Sequence, residues 1–85
     1  RDDRYWLRVW GTRGLLWAWD DGALDVLATA LADEHWRVRE MAAKVVARHL
    51  LGDALPVVAA LRDDPVQRVR TAAERAVAAL TTAGA

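Results

Sequence analysis

The chain repeats itself every 31 residues, and that period constrains the fold more than any other feature of the sequence. Asp33 followed by Val38-Arg39 returns as Asp64 followed by Val69-Arg70, and appears earlier as Asp2 followed by Leu7-Arg8. Gly11, Ala42 and Ala73, all small, fall on one another at the same shift. The preceding segments repeat as well, Ala23-Leu24-x-Val26-Leu27-Ala28 matching Ala54-Leu55-x-Val57-Val58-Ala59. Self-similarity at such a period marks stacked supersecondary units, none of which can bury its apolar face alone.

Each long segment reads as a helix. Val38, Ala42, Val45, Val46 and His49 recur at three- and four-residue spacing, and Val69, Ala73, Ala76, Val77 and Leu80 repeat the stripe. Asp64-Pro65 offers an N-cap and a first-turn proline, and Gln67 would complete a capping box. Gly52 stands where a glycine would end the helix containing His49 and Leu50, Asp53 can cap the next helix, and Pro56 lies in that helix's first turn. The expectation is five helices near residues 3–19, 22–32, 34–50, 53–62 and 65–81, with no strand. Short connections make neighbours antiparallel, giving an all-α solenoid: one domain over residues 1–85, a leading helix followed by hairpins 22–50 and 53–81. The chain begins at Arg1 without a methionine, and it is expected to be a piece of a longer repeat protein.

Composition narrows the partners. Twelve basic residues balance twelve acidic ones, so the whole chain has no electrostatic pull on DNA or anionic lipid. Cysteine is absent, which excludes disulfides and thiolate metal sites. The longest uncharged apolar runs, Gly14–Trp19 and Ala54–Leu61, fall far short of the roughly 20 residues that cross a bilayer. No membrane association and a cytoplasmic location are the expectations.

Asp33…Val38-Arg39-Glu40-x-Ala42-Ala43, Asp64-Pro65…Val69-Arg70-Thr71-Ala72-Ala73 and the first-turn Pro56 resemble HEAT repeats of the short bacterial kind also seen in phycobilin lyases. The resemblance covers nearly all of the chain, although the first copy keeps only Asp2, Leu7 and Arg8 before departing into Trp10, Gly11, Gly14 and Trp17. It implies a structural ladder in which Arg8, Arg39 and Arg70 bridge to Asp2, Asp33 and Asp64 between repeats. A planar guanidinium suits that task because it satisfies two acceptors at once. It also implies that the second helix of each hairpin lines the concave surface.

Equivalent outward positions on those helices give one row of Arg13, Lys44 and Arg75 and another of Trp6, Arg37 and Arg68, with Trp10, Trp17 and Arg48 beside them. Such a face can bind a protein partner, the favoured function, as a scaffold. It resembles loosely the basic face of HEAT-like DNA glycosylases, so nucleic-acid binding is the alternative, with Arg and Lys tracking phosphates and indoles stacking on bases. The bland reading is a solvated helix face partly neutralised by Glu40 and Glu74. Four of the five tryptophans, Trp6, Trp10, Trp17 and Trp19, lie in the first helix, which is apolar on nearly all sides. Two explanations stand: the rings fill the first repeat's core, with Gly11 and Gly14 making room, or they form a homodimer or partner contact. The hairpin partner of this helix is expected upstream of Arg1.

Catalysis is not expected. His35 and His49 lack metal-ligand spacing, and the His-Glu pairs of iron-binding HEAT-repeat hydroxylases do not occur in that order. Asp33-Glu34-His35 clusters three possible ligands, but Arg4 and Val66 stand where the repeat would place further histidines. Serine is absent, and no glycine-rich phosphate loop occurs. His35 is read as an exposed first-turn residue and His49 as a partly buried one near a helix end. No cofactor or metal is anticipated.

Overall fold

The computed structural model describes residues 4–17 and 22–83. Five helices follow one another: α1 (Tyr5–Gly14), α2 (Ala23–Leu31), α3 (Trp36–His49), α4 (Leu55–Ala60) and α5 (Gln67–Ala83). Single 3₁₀ turns at Gly52–Ala54 and Leu61–Asp63 flank α4, and no strand occurs among the described residues. The result is an all-α stack of two layers. In one layer α3 packs between α1 and α5; in the other, α2 covers α3, and α4 covers α5.

The repeated stripe explains this arrangement. Val38 and Val69, together with Ala42 and Ala73, are completely buried. Leu27, Leu31 and Val58 from the second layer join Val38 and Ala42 in one cluster, which Val45, Val46, Ala76 and Leu80 close. Alanines 42, 43, 72, 73 and 76 are buried on α3 and α5, which pack against each other, and such small residues permit close approach of helices. Leu7 holds the position of Val38 and Val69 in the first copy, yet it is 68% exposed. Among the described residues, no helix stands to α1 as α2 stands to α3.

Several local expectations need correction. The first helix ends at Gly14 rather than continuing to 19, since Leu15, Leu16 and Trp17 donate to carbonyls three residues back and tighten the chain into turns. Residue 19 lies outside the described residues. Gly52 does not end α3. The left-handed residue is Leu50, at φ 52° and ψ 53°, and the Leu51 N–H returns to the Val46 carbonyl at 3.2 Å, a Schellman closure. Asp53 makes no side-chain cap; it lies within the 3₁₀ turn before α4, where Pro56 does occupy the first helical turn. Because the chain spends three residues on a 3₁₀ turn at each end, α4 is only Leu55–Ala60. α5 starts at Gln67, so Pro65 precedes it. Asp64 closes the turn by accepting from the Val66 N–H at 2.9 Å, and Gln67 does not return a capping bond.

Candidate interaction surface

The two repeat-related aspartates hold the layers in register. Asp33 Oδ1 accepts from the His35 N–H at 2.8 Å, as Asp64 does from Val66, so each carboxylate shapes the turn that launches the next helix. Into each carboxylate comes a guanidinium fork from the preceding repeat. Arg8 Nε lies 2.7 Å from Asp33 Oδ2 and its Nη2 3.3 Å from Oδ1; Arg39 makes the same pair of bonds to Asp64 at 2.7 and 3.1 Å. The third nitrogen works backwards: Arg39 Nη1 donates to the Asp33 carbonyl at 2.8 Å, and Arg70 Nη1 to that of Asp64 at 2.7 Å. Arg8, Asp33, Arg39, Asp64 and Arg70 thus form one continuous run of bonds; Asp2 lies outside the described residues.

Burial by itself raises the pKa of Asp33, and the hydrogen bonds from Arg8 and the His35 N–H, with the nearby positive charge, outweigh it, so the carboxyl sits below its ordinary value. For Asp64 the same opposition of burial against Arg39, the Val66 N–H and Arg70 ends below the ordinary value as well. These groups are committed to structure.

The outward face of α1, α3 and α5 is different. Arg37 has its guanidinium carbon 5.3 Å from the Trp6 ring centre and 4.7 Å from that of Trp36, and Arg68 approaches the Trp36 ring at 5.2 Å. Indole and guanidinium therefore alternate across the three helices, an arrangement favoured by the negative face of the ring. Further along, Arg13 lies 5.7 Å from the Trp10 ring and Arg48 5.2 Å from that of Trp17. The indoles of Trp10 and Trp17 border a notch of about 200 Å³ with Arg13 and Gly14. Between α3 and α5 runs an open trough of about 390 Å³ edged by Glu40, Lys44, Arg68 and Arg75. Glu40, mostly covered, binds Arg68 at 3.2 Å and lies 3.7 Å from Lys44.

Trp6, Trp10 and Trp17 are 46, 63 and 73% exposed, so they do not fill the first repeat's core. Nor do Gly11 and Gly14 make room for rings, since a Cβ at either would meet nothing within 4 Å. The core of this repeat is built from Val9, Leu15 and Leu16 instead, which leaves the indoles on the open side of the helix.

Charge is sorted between the layers. α1 carries two basic residues, α3 four and α5 three, nine in all, against the two acids Glu40 and Glu74. In the second layer, α2 and the turns around α4 carry Asp25, Asp53 and Asp63 against Arg62 alone. Three of the nine, Arg8, Arg39 and Arg70, belong to the aspartate ladder, so among the described residues the outward face keeps six basic groups against Glu40 and Glu74.

Three members of the face do not stand out in the sequence motif. The Tyr5 and His35 rings stack at 3.7 Å and 7°, and Trp36 follows beside them. The signal was present, because Tyr5 and Trp36 are 31 residues apart and immediately precede the paired Trp6 and Arg37. His35 is thus no freely exposed first-turn residue. It is the N-cap of α3, its Nδ1 accepting from the Arg37 N–H at 3.2 Å, and this capping role together with the fork on Asp33 occupies two of the three clustered ligand types. His49 Nε2 lies 2.6 Å from the Leu15 carbonyl and therefore donates to it.

No helix among the described residues is long and apolar enough to cross a membrane. Comparison with known proteins gives no match to a curated protein or to a solved structure. The family model for HEAT repeats matches residues 1–78, and with the helix pairs and their arginine–aspartate register in place, the chain belongs to the HEAT-repeat family.

Proposed function

We propose that this chain is a non-catalytic scaffold whose α1–α3–α5 face binds a protein partner. The observation that carries the reading is the exposure of three indoles in the first repeat, Trp6 and Trp10 on α1 and Trp17 in the turn after it, beside a core that is closed without them. Exposed tryptophan is costly to leave in water, and tryptophan and arginine are among the residues most enriched where protein interfaces concentrate their binding energy. The family supports this reading in its general form, since helical repeats offer extended surfaces for other chains.

Photo-crosslinking in cells of the native source tests it. A benzophenone amino acid at position 17 is expected to give discrete protein adducts, and the same group at position 57, on the second layer, is not. An adduct the size of a second copy of this chain identifies the partner as itself, the homodimer reading. Equal adducts from both positions, or none from position 17, would overturn the proposal.

A further inference from the structure

We infer that the partner presents an acidic segment in the polyproline II conformation, with a carboxylate at every third residue lying across α1, α3 and α5. The inference rests on the protein-binding reading and specifies the chemistry recognised.

Three observations carry it. The first is the charge of the face: outside the aspartate ladder, α1, α3 and α5 carry six basic residues, Arg13, Arg37, Lys44, Arg48, Arg68 and Arg75, against the two glutamates Glu40 and Glu74, which asks for an anionic partner. The second is its periodicity. Arg13, Lys44 and Arg75 are exposed, and they occupy one repeat position on three successive helices, so they form a row at the spacing of the helices. Packed helices lie about 8–10 Å apart. A polyproline II segment turns once per three residues and rises about 3.1 Å per residue, so its side chains return to the same side roughly every 9 Å. In a β-strand, whose side chains alternate, every second member of a series spaced three residues apart would point away from the surface. The third is the notch between Trp10 and Trp17 next to Arg13, an indole-lined seat for a proline ring beside the first carboxylate.

The same face fits nucleic acid less well. Trp6, Trp10 and Trp17 all belong to the first repeat, so a strand following the basic row toward α5 leaves the stacking surfaces behind. Trp36, in the middle, already has the guanidinium groups of Arg37 and Arg68 against it. Glu40 stands in the trough, where a backbone with a charge on every nucleotide cannot skip it. A peptide with charges three residues apart can.

The test is a titration of the intact chain, followed by tryptophan fluorescence and calorimetry, with a capped peptide of three Glu-Pro-Pro units. Saturable binding is expected, weakened about tenfold or more by Lys44→Glu and by raised salt, and unchanged by Asp53→Lys on the second layer. Circular dichroism checks that each variant remains folded; Arg75→Glu serves where Lys44→Glu does not fold. Binding of a Gln-Pro-Pro peptide just as tightly, or of a peptide with three adjacent glutamates just as tightly, overturns the inference. So does tighter binding of a nine-nucleotide oligothymidylate, which assigns the face to nucleic acid. If position 17 yields protein adducts while the Glu-Pro-Pro peptide does not bind, the acidic register fails and the scaffold reading stands. Selective peptide binding without adducts upholds the acidic register and counts against the scaffold reading in the native cell.

Discussion

Arg39 holds both carboxylate oxygens of Asp64, 25 residues further along the chain, with Nε at 2.7 Å and Nη2 at 3.1 Å. Its side chain is 14% exposed and that of Asp64 only 4%. The Arg8–Asp33 pair has the same geometry, but its arginine is 38% exposed. Removing Arg39 strands a covered carboxylate and the Asp33 carbonyl, so Arg39→Ala is expected to cost about 3 kcal/mol. Arg8→Ala, screened by solvent, should cost about 1 kcal/mol, and Arg37→Ala on the open face about 0.5 kcal/mol or less. Urea denaturation of the three variants checks the order. Equal small losses would show that the forks are geometric coincidences.

The two aspartates also set an acid limit. Both have folded-state pKa values below the ordinary range, so the unfolded chain binds protons more readily than the folded one. Stability from these groups is fully present above about pH 5, and it declines as pH falls through about 4 toward their folded values. Asp64→Asn should lower stability at neutral pH and flatten the decline between roughly pH 5 and 2. A urea-midpoint profile parallel to that of the parent would remove Asp64 from the acid response.

One repeat position offers a comparison of burial at equivalent places in the fold. Val38 and Val69 are fully buried while Leu7 is 68% exposed. Val38→Ala and Val69→Ala each remove apolar volume from a closed core, at about 2 kcal/mol. Leu7→Ala is expected within about 0.5 kcal/mol of the parent, although it removes more atoms. Thermal unfolding of the three variants decides the matter, and a cost at Leu7 equal to that at Val38 would mean that something covers it in solution.

These comparisons show which parts of the structure are written in the sequence. The ladder was legible because Arg8, Arg39 and Arg70 recur at one spacing, and a period in sequence becomes a period in space when identical units stack. The exposure of the α1 indoles was not legible. That helix is apolar on adjoining arcs, and hydropathy cannot say whether the arc with Trp6 and Trp10 or the arc with Leu15 and Val9 turns inward. Charge sorting was hidden for a related reason: local counts balance along the chain, whereas the layers draw alternate helices to the same side. Of the band of Tyr5, His35 and Trp36, the 31-residue shift relates Tyr5 and Trp36, at a position between the aspartate and the arginine that the third copy fills with Gln67, whereas His35 has Arg4 and Val66 as its equivalents and carries no repeat signal.

The end of α3 gives the clearest local test, because sequence and structure nominate different residues. Leu50 adopts φ 52°, a conformation that costs a non-glycine residue about 1–2 kcal/mol, and its side chain is half exposed. Glycine removes that strain, but it loses more freedom on folding and gives up the remaining Leu50 contacts. The balance for Leu50→Gly is expected to be neutral to stabilising, by up to about 1 kcal/mol. Leu50→Val, with a branched Cβ in the same conformation, should destabilise by about 1 kcal/mol or more. Gly52, in contrast, has no positive φ, and a Cβ there would meet nothing within 4 Å. Gly52→Ala should therefore be neutral or slightly stabilising, since alanine restricts the unfolded chain without disturbing the turn. Chemical denaturation of the three variants measures the contrast. A loss above about 1 kcal/mol at Gly52, with none at Leu50→Val, would return the helix end to the glycine.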